Sequence, residues 1–72
     1  MRFDMRQVVV YRGEDAYWVV ECLSLPGCLS QGKTREEALA NIREAIRAYV
    51  DTLREDNLPV PPERSEAEII NV

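Results

Sequence analysis

The sequence predicts an α+β domain with the order β-β-β-α-β, a small, mostly antiparallel sheet with one long helix packed on one face. Three observations carry this expectation. Two Val-rich runs within residues 5–23 are separated by Gly13, Glu14 and Asp15, a hairpin pattern. Residues 34–56 place apolar side chains at three- and four-residue spacing behind a capping sequence. The stretch Pro59, Val60, Pro61, Pro62 then stops the helix before a last apolar run at 68–72.

The first strand, MRQVVVYR over 5–12, alternates imperfectly but is rich in Val. Both Val8/Val10 and Val9/Tyr11 are apolar, so its inner face stays open. The chain returns over 16–23 as AYWVVECL. Here Trp18, Val20 and Cys22 share one face and Tyr17, Val19 and Glu21 the other, with Glu21 marking the outer side. Pro26 fixes its own φ and pushes Leu25 toward an extended conformation, and Gly27 permits a turn that other residues make only with strain. A short third strand over 28–31 is ended by Gly32.

Thr34 and Glu37 predict a capping box, the hydroxyl accepting from the third helical amide and the carboxylate returning to the cap amide. The stripe Ala38, Leu39, Ile42, Ile46, Tyr49, Val50, Leu53 faces the sheet, opposite Arg43, Glu44, Arg47, Asp51 and Arg54. Running to residue 56, the helix would be about 34 Å long. That exceeds the span of a small sheet, so its last turns are expected over a second subunit. Asn57 is the expected C-terminal cap, and 68–72 a short edge strand.

At 72 residues the chain is expected to form a single domain over 1–72. A chain of this size removes only about 60% of its unfolded surface from water, so a homo-oligomer, dimer or tetramer, is expected to supplement the thin core. A net charge of -4 argues against direct nucleic-acid binding and suits a basic protein partner. There is no long apolar run for a membrane span, and the amino terminus lacks the apolar core of a secretion signal, so a cytoplasmic location is expected. Cys22 and Cys28 could pair, but a reducing compartment favours two buried thiols. With no histidine the chain offers too few ligands for zinc, and no metal or cofactor is expected.

Residues 27–34, GCLSQGKT, match the phosphate-binding pattern G-x-x-x-x-G-K-[ST] letter for letter. Its context is absent: Pro26 precedes the first glycine, the intervening residues read as strand, and no later strand ends in an Asp for magnesium. Ser24, Ser30 and the cysteines have no histidine to activate them. Glu36, Glu37 and Glu44 fall at the helix cap or on its solvent face, so no enzyme activity is expected.

Taken together, L25-P-G-C-x-S-x-G-x-T-x-E-E-A-L-x-N-I-x-E-A-I46 resembles the signature of the HicB-like antitoxins. Pro26, Gly27, Gly32, Thr34 and Glu37 are its structural positions, and the resemblance spans nearly the whole chain. It implies a fold similar to a truncated ribonuclease-H-like domain, with the last strand parallel to the first through a right-handed crossover. Ribonuclease activity is not implied, because Val8, Val9, Val10, Ile69 and Ile70 stand where metal-binding carboxylates would be needed. The implied partner is a small basic toxin, HicA, which cleaves messenger RNA with a histidine and would have its active site or RNA-binding face covered. Tyr17, Trp18 and Glu21 are the candidate partner-binding residues. Full antitoxins of this kind usually add a carboxy-terminal DNA-binding module, and no operator binding is expected of this acidic chain alone. The competing expectation is an orphan homo-oligomeric scaffold or regulatory module without a toxin.

Overall fold

A tight hairpin begins the structure. The Gly13 N–H donates to the Tyr17 carbonyl at 2.7 Å, and Ala16 closes the loop with φ 62°. That left-handed backbone removes Ala16 from the ladder, so the second strand starts two residues later than the alternation suggested. The computed structural model describes residues 5–63 and contains β1 Val9–Arg12, β2 Trp18–Glu21, β3 Leu29–Gly32 and α1 Arg35–Glu55. β1 is shorter than expected, because the chain before it binds side chains elsewhere. The Arg6 guanidinium donates to Ser24 Oγ at 3.1 Å, and the Gln7 N–H donates to the Glu63 carboxylate at 2.6 Å. The strand expected over 68–72 lies outside the described residues.

The three strands form one antiparallel sheet in the order β1-β2-β3. Residues directly opposite share a face, so the register settles which side of each strand is which. Val10, Val20 and Ser30 form one row under the helix, and Arg12, Trp18 and Gly32 the next. Val20, Cys22, Leu25, Cys28, Ala38, Ile42 and Val50 are the buried core, with Val8, Val10 and Trp18 packed against it. Val8 and Val10 are thereby the inner residues of the first strand. The Arg12 guanidinium lies 5.1 Å from the Trp18 ring centroid, covering the outer end of that row.

The corner between β2 and β3 is held by its own backbone. Leu25 N–H donates to the Cys22 carbonyl, Cys28 N–H to the Leu25 carbonyl, and Cys22 N–H to the Cys28 carbonyl, at 3.1, 2.9 and 2.9 Å. Because the Cys28 N–H turns inward to Leu25, β3 begins at Leu29 and includes Gly32, a shift of one residue from the expected 28–31. Gly27 takes φ 80°, and the Tyr49 hydroxyl donates to the Pro26 carbonyl at 2.9 Å, tying the corner to the helix. Leu25, fully buried, anchors it in the core.

Gly32 does more than end its strand. A Cβ there would lie 2.5 Å from the Ala38 nitrogen and 2.9 Å from Glu37 backbone and side-chain carbons. The strand backbone therefore rests directly on the first turn of α1. The cap forms as expected on one side, Glu37 N–H donating to Thr34 Oγ1 at 3.0 Å. On the other side the Glu37 carboxylate accepts from the Lys33 N–H at 2.8 Å, one residue before the cap amide expected for it. With Thr34 extended, that earlier amide is the one that faces the carboxylate.

At its far end the helix closes with a Schellman motif. Asp56 is the cap, Asn57 takes φ 56°, and the Asn57 and Leu58 N–H groups donate to the Arg54 and Leu53 carbonyls at 3.1 and 2.8 Å. The chain then folds back so that Val60 packs against the core. Cover for the helix thus comes partly from this return segment, where the sequence suggested only a second subunit. Asn41 donates to the Gln31 carbonyl at 2.8 Å, occupying an acceptor that β3 would otherwise offer to another strand. No helix of the described residues is long and apolar enough to cross a membrane.

Two pairs of substitutions test this account by urea denaturation. Gly32→Ala should lose about 2 kcal/mol or more through overpacking against α1, whereas Gly27→Ala should lose about 1 kcal/mol from its backbone angle alone, because nothing lies within 4 Å of its Cβ position. The reverse order would remove the strand–helix contact from its central place. Thr34→Ala should cost about 1 kcal/mol, with Lys33→Ala near neutral because only the backbone of Lys33 takes part. A larger loss in the Lys33 variant would contradict the cap geometry.

Candidate functional site

With α1 on one side of the sheet, the other side is uncovered among the described residues. Its two rows are Val9, Glu21, Leu29 and Tyr11, Val19, Gln31. Val9, Tyr11 and Leu29 are 45%, 43% and 56% exposed, so three large apolar side chains face outward on the two strands that flank β2. Single exposed apolar residues are ordinary, but several gathered on one sheet face mark a surface suited to contact.

Glu21 stands at the centre of this face, on the middle strand. The Tyr11 hydroxyl donates to its carboxylate at 2.6 Å across the diagonal of the β1–β2 pair. This hydrogen bond raises the Tyr11 phenol above its ordinary pKa, and desolvation and the negative charge of Glu21 act in the same direction. In this pair the phenol donates and the carboxylate accepts. Among the described residues the face is apolar around one carboxylate, with no Lys or Arg at its six positions.

The structure separates the three residues that the sequence grouped. Glu21 lies on the uncovered face, as its charge predicted. Trp18 lies on the helix side, half-buried beneath Arg12 and packed on the core. Tyr17, half-buried, belongs to the hairpin loop, where its carbonyl accepts from Gly13. Of the residues that do surround Glu21, Val19 was already placed on its face, whereas Val9, Tyr11 and Leu29 were missed because β1 is apolar on both sides and β3 is too short to show alternation. The parity of Glu21, carried across both neighbouring strands, was the signal that could have found them.

Residues 27–34 do not form the loop that their phosphate-binding pattern requires. Leu29–Gly32 is extended strand, so the two glycines sit at opposite ends of β3. The Lys33 amide, which would face a phosphate, already faces the Glu37 carboxylate. An anion placed there would meet negative charge. Among the described residues no group of three or more His, Cys, Asp or Glu is arranged to hold a metal ion.

Comparison with known proteins gives a consistent result. A UPF0150 protein of Thermoplasma acidophilum is 49% identical over 59 residues, covering 82% of this chain and 86% of that one. Antitoxin HicB 2 of Photorhabdus laumondii is 35% identical over 93% of this chain, which spans 50% of that longer protein. The crystal structure of the N-terminal domain of Burkholderia pseudomallei antitoxin HicB superposes with a TM-score of 0.72 at 32% identity, over 82% of this chain and 69% of the other. Its likeness supports the α+β arrangement of three antiparallel strands and one long helix. A family model for the HicB-like antitoxin of bacterial toxin-antitoxin systems matches residues 7–71. With the signature residues at the corner, the cap and the strand–helix contact, the chain belongs to the HicB-like antitoxin family.

Proposed function

We propose that this chain neutralises a small, basic, mRNA-cleaving toxin of the HicA type by direct protein–protein contact in the cytoplasm, through the uncovered face of its sheet. The carrying observation is the apolar surface centred on Glu21, whose six described strand positions hold no Lys or Arg. Val9, Tyr11, Val19 and Leu29 supply area that a partner can remove from water. Glu21 supplies a charge already oriented by Tyr11, which favours a partner presenting Lys or Arg and discriminates against an acidic one. Tyr17 lies in the hairpin leading into β2, and Trp18 supports the strand from beneath. No catalytic step or cofactor is needed for inhibition by coverage. A net charge of -4 makes a nucleic acid a poor direct ligand for the chain by itself.

The same apolar face favours a second reading, a homo-oligomeric module without a toxin. Stacking two copies on this face about a two-fold axis would bring the two Glu21 side chains toward one another. That repulsion makes a basic partner the better fit, and it directs self-association to another surface.

Co-expression with a HicA-type toxin encoded beside this chain should restore growth and yield a stable complex. Glu21→Lys should weaken binding at least about tenfold while leaving the melting temperature of the free chain nearly unchanged. Full affinity in that variant would remove Glu21 from the contact. No rescue by the unaltered chain would favour the orphan module. Light scattering of the chain alone should give a dimer or tetramer, and a monomer throughout the micromolar range would overturn the oligomeric part of the proposal.

A further inference from the structure

Cys22 and Cys28 are not merely two buried thiols. The β2–β3 register pairs Val20 with Ser30 and Glu21 with Leu29, and one step further it sets Cys22 opposite Cys28. The Cys22 N–H donates to the Cys28 carbonyl at 2.9 Å, one bond beyond the end of the ladder, while the Cys28 N–H turns to Leu25. Opposed residues share a face, and both cysteines belong to the core under the helix. Both are free thiols here. Residues directly opposite in an antiparallel pair have Cα atoms about 4.5–5.5 Å apart, inside the window of roughly 4.4–6.8 Å that a disulfide spans.

The two thiols differ in access. Cys22 is 2% exposed, with its sulfur 3.6 Å from Ser24 Oγ. Cys28 is 6% exposed and borders a groove of about 370 Å³ between the Gly27 corner and the second half of α1, lined also by Leu29, Ala45, Ala48 and Tyr49. A small reagent can approach Cys28 from that groove. Burial, with Cys22 nearby, raises the Cys28 thiol above its ordinary pKa, so Cys28 attacks slowly unless the pH rises.

We infer that Cys22 and Cys28 form a paired-thiol oxidation site that closes to an intrachain disulfide by exchange with a small-molecule disulfide. The Cys28 thiolate attacks one sulfur of the reagent, forming a mixed disulfide and releasing one thiolate, which takes up a proton. The Cys22 thiolate then attacks the Cys28 sulfur and expels the second reagent thiol. The chain loses two electrons and two protons, and one reagent disulfide becomes two thiols. The bridge would lock the corner at the start of β3, beside Leu29 of the uncovered face. The inference stands on the register and does not depend on the antitoxin reading.

The test treats the purified, reduced chain with oxidised glutathione at mildly alkaline pH, followed by intact-mass measurement and peptide mapping. The expected product is two hydrogens lighter, monomeric in its cross-linking, free of glutathione, and carries a fragment joining Cys22 to Cys28. It should melt several degrees above the reduced chain, because a short loop is closed in the unfolded state. Cys22→Ser should stop at a stable glutathione adduct on Cys28, and Cys28→Ser should take up no glutathione when folded. A persistent adduct on the unaltered chain, a link between chains, or no reaction of the folded protein while both thiols react in urea would each overturn the inference.

Discussion

The close approach of Gly32 to the first turn of α1 is the constraint on which the rest of the structure depends. With no side chain at that position, the backbone of β3 comes within reach of the Ala38 nitrogen and the Glu37 backbone. A few residues along, Thr34 caps the helix and Glu37 holds the Lys33 amide, so the start of the helix is fixed in direction as well as position. The stripe from Ala38 to Val50 then falls across the side of the sheet that carries Val10, Val20, Cys22 and Cys28. The helix has no freedom to cover the other side.

That asymmetry links the fold to recognition. A chain of this length has one long helix and one small sheet among its described residues, and a single helix covers one sheet face. The apolar side chains left on the second face would be a liability in a protein that worked alone. Here they surround a carboxylate held by a tyrosine, on a family of proteins whose role is to engage a toxin. Asn41, bonded to the Gln31 carbonyl, occupies one acceptor on the edge of β3 and so disfavours strand pairing there.

Features set by a few consecutive residues were legible in the sequence. The hairpin, the Pro26-Gly27 corner, the Thr34–Glu37 cap and the amphipathic stripe each rest on local backbone preferences or side-chain periodicity. Boundaries were less legible where a single residue departs from its preference. Ala16 adopts a left-handed conformation that its type disfavours, so β2 begins at Trp18. The Cys28 amide turns toward Leu25, so β3 starts one residue late. Glu37 reaches Lys33 because the extended cap residue presents that amide to it, a geometric outcome that the pattern of residue types does not encode.

The sequence by itself determined the α+β class, the family signature, the outward placement of Glu21 and the failure of the GCLSQGKT pattern as a phosphate loop, because each follows from local chemistry or spacing. Only the tertiary structure decided which face of β1 is buried and which residues of β1 and β3 stand beside Glu21. Those outcomes depend on strand register, and register joins residues that are far apart in the chain. Val9, Glu21 and Leu29 share a row, and Cys22 meets Cys28, only once the hairpin and the corner have set which residues stand opposite.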